Sequence, residues 1–262
     1  MMERRWILGT RVDAADCGTA AERVCRWARG GESRYVCAAN VHMVMEGHDD
    51  PAFRSVVNGA DLVAADGMPL VWALRLLGVR GARRVYGPEL MLAVCARAES
   101  EGIPVGLYGG TPEALAGLET ALARWLPGLA VVHRASPPFR PLSDDERAAV
   151  RREIAASGAR ILFVGLGCPK QERWMAAERG RLPAVMLGVG AAFDFLSGRK
   201  PQAPPLLRRL GLEWAFRLAA EPRRLWRRYL AHNPRFAAFF ALQLARRGWR
   251  AGAPVRTQET DS

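Results

Sequence analysis

Five short apolar runs recur along the chain, and each is followed at once by a glycine or a small polar residue. The runs stop at Asn40, Asp66-Gly67, Gly109-Gly110, Gly165 and Gly190. Segments with helical character lie between them, and several begin with Pro, Ser or Thr, as helix N-termini favour. This alternation predicts βαβ units, and therefore a Rossmann-like α/β fold with a mostly parallel sheet flanked by helices. Ligands of such sheets bind at the edge where strands end, so the site is expected among these residues.

The excess positive charge of the chain is concentrated near its C-terminus. The whole sequence has 38 Lys and Arg against 26 Asp and Glu, whereas residues 199–250 have 13 against 2. A basic, aromatic-rich block attached to a nearly neutral body indicates an anionic partner. Three candidates remain open, namely a phosphate-bearing substrate, an anionic membrane surface and nucleic acid, although no recognised nucleic-acid motif accompanies the charge.

Prolines mark the start of this basic block. Three of them between residues 201 and 205 interrupt the pattern of strands and helices. We therefore expect an α/β domain over 1–197, a basic helical appendage over 198–250 and a disordered tail over 251–262. Pro222 predicts that the appendage contains two helices rather than one.

Neither an apolar run of about 18 residues nor a secretory signal is evident in the sequence. We therefore expect a cytoplasmic protein that lies on a membrane without crossing it. The five cysteines form no C-x-x-C pair, and we interpret them as reduced thiols. The four histidines share no spacing typical of a metal site, so no metal is expected.

Asp66 is the first candidate for a catalytic residue. It follows an apolar strand and precedes Gly67, so its carboxylate should project from the strand end. A carboxylate there can accept a proton from a sugar hydroxyl while that hydroxyl attacks an anomeric carbon. The alternative is that Asp66 caps the helix predicted over Met68–Leu76.

Three further strand ends carry candidate binding residues. Gly109 and Gly110 precede a helix start, where free backbone N–H groups suit a diphosphate, although a plain tight turn is the alternative. Gln171 lies in the first turn of another predicted helix and could bind sugar hydroxyls or a nucleotide. Its neighbour Glu172 either joins the site or is a capping, solvated residue, and Asp194 is a second carboxylate candidate.

The appendage offers arginines for phosphate groups and tryptophans for a membrane interface. Arg217, Arg224 and Arg228 are separated by seven and four residues, a spacing that would place them on one face of a continuous helix. Guanidinium groups bind phosphate oxygens bidentately, and Trp226 and Tyr229 suit the headgroup region. The alternative is a solvated helix packed by its tryptophans.

Taken together, these motifs resemble the WecG/TagA/CpsF family of bacterial glycosyltransferases, which act in teichoic acid, enterobacterial common antigen and exopolysaccharide synthesis. The resemblance covers about 35–236. It rests on Asn40, Ala60-Asp61-Leu62-Val63 with Asp66-Gly67, Arg84-Val85-Tyr86-Gly87-Pro88, Gly165-x-Gly167-x-Pro169-Lys170-Gln171-Glu172, Gly190-Ala191-Ala192-Phe193-Asp194, and the block from Gly211-Leu212-Glu213-Trp214 to Arg228-Tyr229.

The resemblance implies an inverting, metal-independent transfer of a sugar from a UDP-sugar to a polyprenyl-diphosphate-linked acceptor at the cytoplasmic face of the membrane. The sugar would be of the N-acetylmannosamine type, its uronic acid or glucose. Asp66 takes the place of the general base, and Asn40 and Gln171 belong to the substrate pocket. The arginines that the resemblance places over the diphosphate are Arg217, Arg224 and Arg227.

The chain departs from the family pattern at three places, which puts sugar specificity in doubt. Ala38 replaces a usual threonine, Gln202 replaces an arginine, and Pro137-Pro138-Phe139 replaces Gly-Tyr-Phe. Two other classes of function stay open, a non-catalytic protein that binds a membrane surface and a nucleic-acid-binding α/β protein. We expect no nucleic-acid partner and no cofactor, and a homo-oligomer is compatible with the sequence.

Overall fold

A computed structural model describes residues 2–246, which form an eight-stranded sheet in the order β1-β2-β4-β3-β8-β7-β5-β6. The first two strands pair antiparallel and all other neighbours pair parallel. The mostly parallel α/β fold is therefore confirmed. The strands are β1 Arg4–Ile7, β2 Thr10–Asp13, β3 Arg34–Ala39, β4 Leu62–Ala65, β5 Val105–Gly109, β6 Val131–Ala135, β7 Ile161–Gly165 and β8 Val185–Gly188.

Helices cover both faces of this sheet. They are α1 Cys17–Arg29, α2 Val41–Asp49, α3 Pro51–Asn58, α4 Met68–Leu76, α5 Gly87–Ser100, α6 Pro112–Trp125, α7 Asp144–Ala156, α8 Lys170–Glu178, α9 Ala192–Leu196, α10 Pro205–Arg209, α11 Glu213–Ala220 and α12 Pro222–Arg246. One apolar core lies between the sheet and α2, α3, α4 and α8, with α12 at its border. The other lies between the sheet and α1, α5, α6 and α9.

The central strands are buried on both faces, which explains their continuous apolar sequences. The residues of β4, β5 and β8 are all buried, as are Ile161 to Val164 of β7. Helix starts carry the expected chemistry: Thr111 accepts a hydrogen bond from the backbone of Ala114, and Pro112 occupies the first turn of α6. Because these strands are parallel, the polar residues that follow them lie together at one edge of the sheet.

The hairpin of β1 and β2 was not expected from the sequence. Its turn consists of Leu8 and Gly9, both with positive φ angles of 49° and 82°. The side chain of Gln243 in α12 accepts a hydrogen bond from Leu8 N (2.8 Å) and donates one to Trp6 O (2.7 Å). The end of the appendage is therefore fastened to the first strand pair.

The appendage has two main helices, α11 and α12, which meet at Pro222 as predicted. Phe236 and Phe240 of α12 are buried in the core beside α2, and Arg235 forms a two-bond ion pair with Asp49. The helices of the described region include none with the length and apolar character needed to span a membrane. The tail predicted over 251–262 lies outside the described residues.

Candidate active site

The polar strand ends form one continuous edge of the sheet. Asp66 follows β4, Asn40 follows β3, Gly190 follows β8, Gly167 follows β7 and Gly110 follows β5, and these five strands are neighbours in that order. Neighbouring strands lie about 4.8 Å apart, so the edge from Asp66 to Gly110 is about 19 Å long. This is long enough to bind a donor and an acceptor side by side.

A first cavity of about 530 Å³ opens at the Asp66 end of the edge. Helices α2 and α4 form its wall on the body, and α11 and α12 of the appendage form the opposite wall. The lining combines a few charged groups with a long apolar surface. Its residues include Asn40, His42, Asp66, Met68, Trp72, Leu76, Arg84, Glu213, Trp214, Arg217, Arg228, Tyr229, His232, Phe236, Phe240 and Leu244.

Asp66 is held by the backbone and lies beside one arginine. Its Oδ1 accepts a hydrogen bond from Gly87 N at 3.2 Å and lies 3.6 Å from Nη2 of Arg84. Burial raises the pKa of Asp66 to about 6, against the opposing effect of the Arg84 charge. The N-cap of α4 is Gly67, and no side chain caps that helix. The capping interpretation of Asp66 is therefore wrong, and the carboxylate faces the cavity.

Arg84 connects Asp66 to the appendage. Its Nη2 lies 2.7 Å from Oε2 of Glu213, which is almost completely buried, and its Nε donates to the main-chain carbonyl of Asp66. Arg217, one turn after Glu213 on α11, lies 3.9 Å from the same carboxylate. Neither Arg84 nor Glu213 was predicted as a site residue, although both lie in motifs that carry the family resemblance.

The structure places the predicted arginines in different surroundings. Arg217 lines the cavity, and so does Arg228, whose pKa is lowered by burial. Arg224 instead pairs with Glu221, and Arg227 lies over the ring of Trp226 at 5.3 Å. Arg228, rather than Arg227, thus lines the same cavity as Asp66.

Asp194 also lies away from the first cavity. Its Oδ2 is 3.0 Å from Nζ of Lys200, and the same ammonium group is 3.2 Å from Glu221. Because Glu221 also pairs with Arg224, a chain of four charged residues joins α9 to the appendage. This arrangement gives Asp194 a role in holding the appendage on the body, whereas Arg224 pairs with a residue of the appendage itself.

A second cavity of about 240 Å³ lies at the other end of the edge, beside Gly110. Two aromatic rings, Tyr108 and Trp174, stack at 4.6 Å and line it, and the loop after β6 covers it. Gly110 N donates to Gly165 O at 3.0 Å, so this amide is already bonded to the end of β7. Gly109 has a φ of 116°, and an added Cβ would lie 2.6 Å from the backbone of Gly165. Glycine therefore allows the end of β5 to pack closely on β7, and Gly110 lines the cavity.

A comparison with known protein families shows which family this chain belongs to. The model of the glycosyl transferase WecG/TagA/CpsF family matches residues 5–250, nearly the whole chain. The chain belongs to this family. Membership supports a transferase that acts on sugars over a non-catalytic membrane protein or a nucleic-acid-binding protein.

In this WecG/TagA/CpsF protein, Gln171 is buried near the ends of β7 and β8, and it is not among the residues that line either cavity. Its Oε1 accepts from Gly167 N at 3.2 Å, and its Nε2 donates to Glu172 at 2.7 Å. A Cβ on Gly188 would lie 3.0 Å from Nε2 of Gln171, so glycine at this position makes room for the amide. Glu172 is fully buried, and burial raises its pKa. The solvated interpretation of Glu172 is wrong, and its contact with Gln171 gives it a positioning role.

Asn40 and two histidines complete the first cavity of this glycosyltransferase. Asn40 caps α2 by accepting from Met43 N at 3.2 Å, and it also lines the cavity. His42 and His232, which are far apart in sequence, lie together with ring centres 5.0 Å apart. Sequence spacing gave no indication of this pair.

Proposed function

We propose that this protein is an inverting hexosyltransferase that moves a sugar from a UDP-sugar to a polyprenyl-diphosphate-linked acceptor. The sugar is of the N-acetylmannosamine type, its uronic acid or glucose, and the product serves cell-surface polysaccharide synthesis. One observation carries the proposal: Asp66, with its raised pKa, faces a cavity that arginines of the appendage close from the opposite side.

Asp66 is the general base of the proposed reaction. It takes the proton of an acceptor hydroxyl while the hydroxyl oxygen attacks the anomeric carbon and UDP leaves from the opposite face of the sugar. A pKa of about 6 suits this task, because the carboxylate is ionised near neutral pH and still basic enough to accept a proton. Arg84 favours the ionised form and fixes the backbone of Asp66.

The first cavity suits the lipid-linked acceptor. Arg217 and Arg228 supply two positive charges for its diphosphate, and guanidinium groups bind such oxygens bidentately. Trp72 and Leu76 on α4 face Phe240 on α12 across the apolar part of the same cavity, where the first isoprene units can lie. The acceptor sugar then lies between the diphosphate and Asp66.

The second cavity suits the nucleotide of the donor. A nucleotide base can pack against the aromatic pair of Tyr108 and Trp174, and Lys170 lies on the same wall with a positive charge for the diphosphate. Gln171, near the ends of β7 and β8 at the middle of the edge, is the proposed neighbour of the transferred sugar. Positive side chains, rather than a divalent metal, stabilise the leaving diphosphate in this proposal.

The appendage is also the proposed contact with the cytoplasmic face of the membrane. Its exposed apolar side chains include Trp214, Trp226 and Leu230, with exposed fractions of 40%, 45% and 64%. Arg224 and Arg227 lie on the same helices, and their side chains can attract anionic headgroups. Attachment of this kind brings the first cavity to the depth where a polyprenyl diphosphate resides.

A panel of UDP-sugars and vesicle-bound polyprenyl-diphosphate-sugar acceptors tests the proposal. Purified full-length protein should release UDP only when one donor and one acceptor are both present, and EDTA should change the rate little. The variant Asp66→Asn is compared with Asp145→Asn, since Asp145 is exposed on α7 and lines neither cavity. Vesicle binding without UDP release from any pair would contradict the proposal and favour a non-catalytic membrane protein.

A further inference from the structure

Three potential metal ligands from two distant parts of the chain meet beside the first cavity. His42 and Glu46 lie one turn apart on α2, and His232 approaches them from α12. Nδ1 of His42 is 3.6 Å from Oε1 of Glu46, and Nε2 of His232 is 3.7 Å from the same oxygen. All three ligand atoms lie within 4.8 Å of one another.

These distances match the edges of a small tetrahedral metal site. With zinc–ligand bonds of about 2.0–2.2 Å, neighbouring ligand atoms of a tetrahedral site lie about 3.4 Å apart. The two contacts to Glu46 are already close to this value. Rotation of the side chains can bring the imidazole nitrogens to the same spacing.

Two nitrogen atoms of the cluster have no hydrogen-bond partner among the described residues. Nδ1 of His42, the atom that faces Glu46, is buried without a hydrogen-bond partner, and Nδ1 of His232 also lacks one there. Buried polar atoms of folded proteins are nearly always paired with protein, water or an ion. A cation among the three side chains would use the free position on His42.

The charges around the cluster have opposite effects on a cation. The guanidinium group of Arg228 on α12 lies near His42 and opposes a cation, whereas the carboxylate of Glu46 faces both imidazoles from α2 and favours one.

The geometry points to a zinc site formed by His42, Glu46 and His232 that fastens α12 of the appendage to α2 of the body. Two imidazoles and a carboxylate are a common zinc ligand set, and they leave a fourth position for water. The side chain of Glu46 is 34% exposed, which gives the ion access. The ion takes no part in the proposed transfer step. Phe236, Phe240 and the ion pair of Arg235 with Asp49 also hold α12 on the body, so loss of the ion should change the transfer rate little.

Metal binding is tested on the full-length chain after removal of metals with a chelator. Wild-type protein should bind about one Zn²⁺ by calorimetry, and each of His42→Ala, Glu46→Gln and His232→Ala should weaken binding by more than about tenfold. His133→Ala is the matched control, since His133 lies on β6 outside the cluster. Unchanged affinity in the three ligand variants, or an equal loss in the control, would overturn the site.

Two measurements on the wild-type chain keep the test valid if a variant fails to fold. Co²⁺ in place of zinc should give the intense visible absorption of a tetrahedral site, and its absence would overturn the proposal. Zinc should also slow trypsin cleavage after the arginines of the appendage, for example Arg223 and Arg227, by at least severalfold. Cleavage at the same rate with and without bound zinc would refute the fastening of α12 to α2.

Discussion

The two cavities lie at opposite ends of one sheet edge, yet they are assembled from different parts of the chain. The first combines groups that are far apart in sequence, with Asp66 on the body and Arg217 and Arg228 on the appendage. The second is formed within residues 108–174 of the body, where aromatic rings and prolines lie beside the basic side chains of Arg140, Arg147 and Lys170. The difference suggests a division of labour, with proton transfer at the first cavity and recognition of the nucleotide at the second.

Replacing Asp66 should have the largest effect, and it should affect the chemistry at the first cavity without affecting donor binding at the second. Asp66→Asn keeps the shape of the side chain and removes the proton acceptor, so kcat should fall by about 10²–10⁴-fold. The KM for the UDP-sugar should change little, because the donor is proposed to bind at the second cavity. Steady-state kinetics against the Asp145→Asn control measure both values, and near-normal turnover would remove Asp66 from its role.

Substitution of an appendage arginine should lower activity strongly only when that arginine lines the first cavity. Arg217→Gln and Arg228→Gln each remove a charge-assisted contact worth about 1.5–3 kcal/mol, so kcat/KM for the acceptor should fall by about 10- to 100-fold. Arg227→Gln alters an arginine outside the cavity and should cost about twofold or less. A short-chain, water-soluble acceptor excludes effects of membrane binding. An equal loss in Arg227→Gln would place the diphosphate elsewhere.

Transferase activity should be lost at acidic pH, because Asp66 in the first cavity becomes protonated. A base works only when ionised, and the pKa of Asp66 is raised to about 6, so activity is present above this pH and is lost as the pH falls through it. At pH 5, kcat/KM should be about tenfold below its plateau. A profile that stays flat from pH 5 to 7, measured where circular dichroism shows intact protein, would rule out this titration.

Substitution in the aromatic pair of the second cavity should have the smallest effect, and it should change the KM for the donor rather than kcat. Trp174→Ala removes the ring stacked on Tyr108, and aromatic contacts are worth about 0.5–1.5 kcal/mol, so the KM for the donor should rise about two- to tenfold. The value of kcat should stay close to normal. Trp174→Phe keeps a ring and should recover most of the affinity. A loss confined to kcat would contradict a nucleotide site here.

Much of the fold could be predicted because its central strands are buried and its helices have ordinary starts. The helix over Met68–Leu76 has the predicted bounds, and a proline in its first turn favours this start. The β1–β2 hairpin was missed because its two strands contain charged residues and lack the continuous apolar sequence of the central strands. Part of its support comes from Gln243, more than two hundred residues later.

The site was less predictable, because its residues meet only through tertiary packing. Neighbouring residues of a helix point about 100° apart, so whether Arg227 or Arg228 faces the cavity depends on how α12 packs on α2. The same packing brings His232 to His42. Glu172 lies in the first turn of α8, where a solvated side chain is common, and its burial depends on packing with other parts of the chain.

The wall that α12 gives to the first cavity also has a consequence for biosynthesis. Asp66 leaves the ribosome early, but the opposite wall extends to Leu244. At translation rates of about 5–20 residues per second, the two are made roughly 10–35 s apart. During that interval a nascent chain has its base and lacks the arginines that would face it. We therefore expect a chain still under synthesis to be unable to transfer a sugar until its final helix has emerged and docked.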